Sequence, residues 1–241
     1  MELSQLYFVN EKIITIFYLL IVSILALFIS IIVDKLYVFS KHFGIKLFKL
    51  AFLFFSLAFF SQGLVYLFNS WFIPTYFSKI SNFLILNFLI NGLELLFNYV
   101  IILSGFYIVY SLIWKRIHKT QNFLVNIKII SIHMFAISIA LISLFNQKIS
   151  FHLLFLSQIV VFSYGIIVCY KKYKNKKKTK KFTFIQLYLI SLILMLIGWI
   201  FNYFSGYIST IYPIFPFYTK ILTVSIFSII LFGIIKTTKD F

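Results

Sequence analysis

The sequence predicts an all-α polytopic membrane protein, a bundle of seven transmembrane helices with the N-terminus outside and the C-terminus in the cytoplasm. Three observations carry that expectation. Of 241 residues, 62% are hydrophobic and 11% charged, against about half apolar and a quarter charged in a soluble domain. The apolar residues gather in seven long runs, and the basic residues gather in alternate connectors between them.

The runs cover about 13–33, 50–68, 83–114, 129–145, 151–170, 182–204 and 221–235, within one transmembrane domain over 1–241. At 1.5 Å per residue, about 20 helical residues cross ~30 Å of hydrocarbon. Backbone groups in lipid must be satisfied internally, and the period-2 alternation of a barrel is absent, so each run is predicted to be helical. The first closes at Asp34 and Lys35, and the second is entered from Lys46 and Lys49. The third exceeds one span, leaving 83–93 as an interfacial piece or an extension of the same helix. The fourth is short. Its Ala136, Ala140 and Ser143 share one face that lets a neighbouring backbone approach. The seventh is the shortest and is expected to borrow residues from the loop before it.

Orientation follows from the lysines. The first connector holds Lys35, Lys41, Lys46 and Lys49, and the third holds Lys115, Arg116, Lys119 and Lys128. The fifth holds Lys171, Lys172, Lys174, Lys176, Lys177, Lys178, Lys180 and Lys181, and the tail adds Lys236 and Lys239. That is 18 of the 22 basic residues, against Lys12, Lys79, Lys148 and Lys220 on the other side. The positive-inside rule then puts the N-terminus outside.

All three prolines, Pro74, Pro213 and Pro216, fall in outer loops rich in aromatic residues, and Trp114 is placed to anchor the inner boundary. Ser56 and Gly63 in the second span match Ser191 and Gly198 in the sixth in spacing and direction, which fits a 3+1+3 parallel repeat.

The +17 net charge is nearly all lysine, Arg116 being the one arginine. Nucleic-acid sites favour arginine forks and stacked aromatics on a folded surface, so no nucleic acid is expected. The lysines from 171 to 181 are expected to contact an anionic cytoplasmic leaflet. The first ten residues have no basic group of a signal peptide. Cys169, the sole cysteine, excludes an intrachain disulfide and reads as an inert helix-end residue.

Glu94 is the strongest candidate for function, because a carboxylate within a spanning run is expensive. Counting from Trp114 places it near the outer interface. Asn87, Asn91, Glu94 and Asn98 are spaced to form one polar stripe on a helix. With Gln62, Asn69, His152, Gln158 and Asn202 on other spans, the stripe is expected to line an outward-facing ligand or ion cavity. The competing reading is helix-to-helix hydrogen bonding, with Glu94 wet at the surface.

No metal or cofactor site is expected. The four histidines, His42, His118, His133 and His152, form no i,i+4 pair and have no acid or cysteine cluster beside them. Paired acids, H-E-x-x-H and G-x-S-x-G are missing, so no enzyme is expected. Retinal binding would need a lysine mid-way along the seventh span, and Lys220 and Lys236 lie at its ends. The outline resembles the seven-helix input module of some sensor kinases in architecture alone. The expected function is a non-enzymatic sensory or ligand-binding module of the cell membrane, with output through a membrane or cytoplasmic partner. The alternatives are a small transporter or channel using Glu94 and a subunit of a membrane complex.

Overall fold

A computed structural model describes the backbone of residues 2–72, 80–118, 124–176 and 182–239, and the side chains of 12–70, 86–114, 129–174, 186, 188–236 and 238. The described chain is all-helical. Its helices are α1 (Glu2–Ser40), α2 (Phe43–Leu67), α3 (Ile80–His118), α4 (Leu124–Phe145), α5 (Gln147–Lys176), α6 (Phe182–Ile208) and α7 (Phe215–Lys239). A π-helical turn, Phe68–Phe72, continues α2.

Six helices are long and apolar enough to cross a membrane, while the apolar part of α4, Ile129–Phe145, is shorter. The long third run is one helix. α3 has 39 residues, or about 58 Å at 1.5 Å each, so 83–93 extends the span and is no separate piece. The seventh run does draw on its loop, since α7 begins at Phe215. Pro216 therefore sits in the first turn of α7 and not in the loop, at a position where a helix has no use for its missing N–H. Pro74 and Lys79 lie outside the described residues.

The six long helices close a ring. α1 packs on α2 and α7, α2 on α3, α3 on α5, α5 on α6, and α6 on α7. α4 stands outside the ring, against α3 and α5. Serines join α1 to α2: the Ser23 hydroxyl donates to the Ser56 carbonyl at 3.0 Å, and Ser30 to the Lys49 carbonyl at 3.2 Å. Near the end of this pair Lys49 and Asp34 form an ion pair at 2.8 Å.

The connectors are short and specific. Lys41 takes a left-handed conformation (φ 52°) between α1 and α2 while its N–H donates to Tyr37, which closes α1 in the manner of a helix C-cap. Gly44 then packs so closely that a Cβ there would meet Trp114 at 2.7 Å and the Ser111 carbonyl at 2.9 Å. Asn146 alone joins α4 to α5. Its side chain accepts from the Ile149 N–H at 3.0 Å, capping α5, and Ser150 donates back to Ile139 at 3.1 Å.

The outer surface is apolar. Phe17, Ile24 and Phe28 on α1 are 62%, 51% and 53% exposed, and Phe232 on α7 is 70% exposed. Water would not tolerate such a belt on a monomer, and hydrocarbon does. The two glycines of the expected repeat face different neighbours, Gly63 towards Leu19 of α1 and Gly198 towards Ile226 of α7.

Candidate functional site

The ring encloses a cavity of about 530 Å³, with lining residues from all six of its helices. On α7 the lining residues include Thr219, Lys220, Thr223, Ile226 and Phe227, one face of about three helical turns. On α2 they are Phe55, Phe59, Gln62 and Tyr66, again a single i, i+4, i+7 face.

Polarity changes along the cavity. Near one end lie Lys12 and Thr15 of α1, Gln62 of α2, Asn202 of α6, and Thr219 and Lys220 of α7. Deeper along the same helices come Leu19, Phe55, Met195 and Phe227. The cavity thus has a polar, cationic mouth and an apolar, aromatic floor. The mouth lies towards the start of α7 and the ends of α2 and α6, about three turns into α1.

Hydrogen bonds order the mouth. The Lys220 ammonium, half-buried, donates to Thr15 Oγ1 at 2.7 Å, and Thr15 is buried. Asn202 Nδ2 donates to the Gly198 carbonyl at 2.9 Å and to Thr223 Oγ1 at 3.2 Å. The Thr219 and Thr223 hydroxyls donate back along α7, to Pro216 and Thr219. That leaves each threonine oxygen as an acceptor, the role Thr223 plays for Asn202.

Aromatic rings close the floor. Phe227 meets Phe55 and Phe59 edge-on, both at 5.7 Å between centroids, and Phe52 at 6.2 Å. Beyond them Phe48 packs on Tyr188 at 4.9 Å. The Tyr188 hydroxyl bonds to Ser111 and donates to the Ile108 carbonyl at 2.8 Å. Among the described residues these contacts lie between the cavity and the lysine-rich end.

Of the residues singled out in the sequence, Gln62 and Asn202 line this cavity. None of Asn87, Asn91, Glu94 and Asn98 is among the lining residues; on α3 those are Phe97 and Ile101, and Ile101 continues the line of the stripe one turn beyond Asn98. Asn91 is exposed, Asn87 and Asn98 are half-buried, and the half-buried Glu94 accepts from Gln147 Nε2 of α5 at 2.7 Å. His152 Nδ1 pairs with the Tyr203 hydroxyl at 3.0 Å, and His133 Nδ1 with Tyr99 at 2.7 Å. Gln158 is fully buried and donates to the Ile101 carbonyl at 2.9 Å. Asn69 is exposed.

At the other end of the bundle Lys171, Lys172 and Lys174 are exposed on the last turns of α5, and Lys172 reaches the Leu112 carbonyl. The Lys176 side chain and Lys177, Lys178, Lys180 and Lys181 lie outside the described residues. Among the described residues no group of three or more His, Cys, Asp or Glu is placed to hold a metal.

Sequence reasoning missed Lys12, Thr15, Trp199, Thr219, Lys220 and Thr223. A signal was present: Thr219, Lys220 and Thr223 share a face, and Lys12 and Lys220 are two of the four exceptions to the lysine distribution. Comparisons with family models, curated proteins and solved structures find no match to this chain.

Proposed function

We propose that this chain is a multi-pass protein of the cell membrane that binds a small ligand in its ring cavity and acts as a receptor or coupling module, without catalysing a reaction. One observation carries the reading: the cavity has a polar mouth and a floor of packed aromatic rings. Its volume lies within the roughly 300–1,000 Å³ of small-ligand sites. A conduit would need polar groups continuing to the other end, and Phe52, Phe227 and Tyr188 occupy that path.

In this reading the N-terminus and the cavity mouth are outside, and the lysine-rich end is cytoplasmic. That arrangement needs an odd number of crossings, with α4 as the seventh. Its 22 residues reach about 33 Å, and Ile130, Met134 and Leu141 give it an exposed apolar stripe. Lys171, Lys172 and Lys174 then meet anionic headgroups at ~1 kcal/mol each, and the cytoplasmic face engages a protein partner.

The test is thermal unfolding of the purified protein in phosphatidylcholine nanodiscs against a small-molecule panel. A ligand at ~100 times its Kd stabilises by about 2.7 kcal/mol. Asn202→Leu and Gln62→Leu should each reduce that shift. A stabilising ligand indifferent to both substitutions would remove the cavity as its site.

A further inference from the structure

We infer that a cleft between α3, α4 and α5 seats one acyl chain of an anionic phospholipid, with the headgroup phosphate held at Lys171 and Lys174. This rests on the reading above that the lysine-rich end meets an anionic leaflet, and is independent of the ring cavity.

Packing creates the cleft. α4 stands outside the ring against α3 and α5, and the three helices leave about 400 Å³ between them. Phe106, Tyr110 and Ile113 line it from α3, Ile132 from α4, and Val160 and Tyr164 from α5. No charged side chain is among its described lining residues. Val160 and Tyr164 are exposed, so the cleft opens on the outer surface of the bundle. Water finds too few polar partners in such a space, and an alkyl chain fills it.

Depth selects the leaflet. Ile113 adjoins Trp114, the residue at the inner boundary, and Phe106 lies eight residues before it, about 12 Å along α3. One leaflet contributes ~15 Å to ~30 Å of hydrocarbon. The α3 wall therefore stays within the leaflet at the lysine-rich end.

The α5 wall runs on into charge. Val160, Tyr164, Ile167, Lys171 and Lys174 follow at spacings of four, three, four and three, which puts them on one helix face, and all five are exposed. Lys172 beside them reaches the Leu112 carbonyl of α3, tying the two walls together at this end. The positive surplus does not depend on any single side chain. Connectors 115–128 and 171–181 hold four and eight basic residues and no Asp or Glu. Of the five acids in the chain, Glu2, Glu11 and Glu94 lie towards the opposite end, Asp34 pairs with Lys49, and Asp240 remains. An orientation signal accounts for lysines in connectors, but not for an open apolar cleft on the same face as two of them. An anionic lipid accounts for both.

The test puts the sole tryptophan in the cleft. Tyr164→Trp is combined with Trp71→Phe, Trp114→Phe and Trp199→Phe, and the full chain is placed in phosphatidylcholine nanodiscs. Phosphatidylglycerol with brominated chains is compared with brominated phosphatidylcholine at matched mole fractions. Half-maximal quenching should need about fivefold less of the anionic lipid. Phe28→Trp in the same tryptophan-free background reports from an exposed site on α1 and should show no such preference. Lys171→Gln with Lys174→Gln should abolish the preference, and arginine at both positions should keep it. Val160→Phe fills the cleft with the lysines intact and should also abolish it.

Equal quenching by the two lipids at Tyr164→Trp, or a preference that survives the glutamine pair, overturns the inference and leaves the bundle in hydrocarbon. A preference kept in Val160→Phe overturns the seat in the cleft and leaves surface attraction alone. Quenching by neither lipid means that protein covers this face, and overturns both the inference and its exposure to lipid. Melting of each variant separates a folding defect from lost binding. If the tryptophan substitutions prevent folding, native mass spectrometry of the parent chain decides: one phosphatidylglycerol should stay bound, and the glutamine pair should release it. The thermal panel remains the separate test of the ring cavity.

Discussion

Lys220 and Thr15 lie 205 residues apart in sequence and 2.7 Å apart in space, and their hydrogen bond closes the seam between the first and last helices of the ring. Both residues line the cavity, so the bond that closes the ring also sets its mouth. Thr15→Val removes the acceptor and leaves the ammonium half-buried without it. We expect a stability loss of about 1 kcal/mol, with Thr15→Ser near wild type, measured by thermal unfolding in nanodiscs. A valine variant as stable as the parent would show that the seam holds by apolar packing alone.

A second contact limits how closely α3 and α5 can approach. A methyl group on Gly105 would overlap Oε1 of the fully buried Gln158. That oxygen has no hydrogen-bond partner, so Gly105 offers it room and no donor. Gly105→Ala is expected to destabilise by about 1–3 kcal/mol. The pair Gly105→Ala with Gln158→Ala should recover most of that loss, giving a coupling of at least ~0.5 kcal/mol in a double-mutant cycle. Strict additivity would refute the steric account.

Glu94 is the residue the sequence made most conspicuous, and its carboxylate accepts from the Gln147 amide between α3 and α5. Glu94→Gln should lower stability by less than about 1 kcal/mol and leave ligand binding in the ring cavity unchanged. Loss of binding in this variant would return the functional site to the α3 stripe.

How much could be read in advance depended on what distinguishes one helix face from another. The six long helices were legible because hydrocarbon demands length and apolarity, and both are written in the runs. The face each helix turns inward was not. Lipid and a packed interior are equally apolar, so hydropathy does not separate Phe55, which lines the cavity, from Phe17, which is exposed. Glu94 drew attention as a lone acid, yet the rotation of α3 that brings Phe97 and Ile101 inward is a property of its neighbours. Lys12 and Lys220 were read as topological charges because a linear count of lysines carries no information on ring closure. Gln62 and Asn202 were found because an amide in an apolar run is conspicuous in any register.

The backbone at Lys41 supports a prediction independent of function. A left-handed conformation at a non-glycine residue is unfavourable by roughly 1–2 kcal/mol, and Lys41 adopts one with φ 52°. Lys41→Gly should therefore stabilise the protein by about 1 kcal/mol, read as a higher melting temperature. No gain would mean that the lysine side chain contributes as much as its backbone loses.

The proposed orientation is tested by labelling single cysteines in a Cys169→Ala background with a membrane-impermeant maleimide. Lys79→Cys and Lys148→Cys should react in intact cells, and Lys177→Cys only after permeabilisation. The opposite pattern would invert the bundle and place the cavity mouth in the cytoplasm.

The one-residue corner at Asn146 bears on how the chain enters its membrane. In the proposed seven-crossing topology, so short a connection favours entry of α4 and α5 together as a helical hairpin. In that topology the tip of the hairpin would carry Asn146, Gln147 and Lys148 across the bilayer. The Asn146 cap and the Ser150 bond to Ile139 neutralise part of this polar load before the tip enters hydrocarbon. In the proposed topology α4 would then act as the escort of α5, a reason for a helix to stand outside the ring.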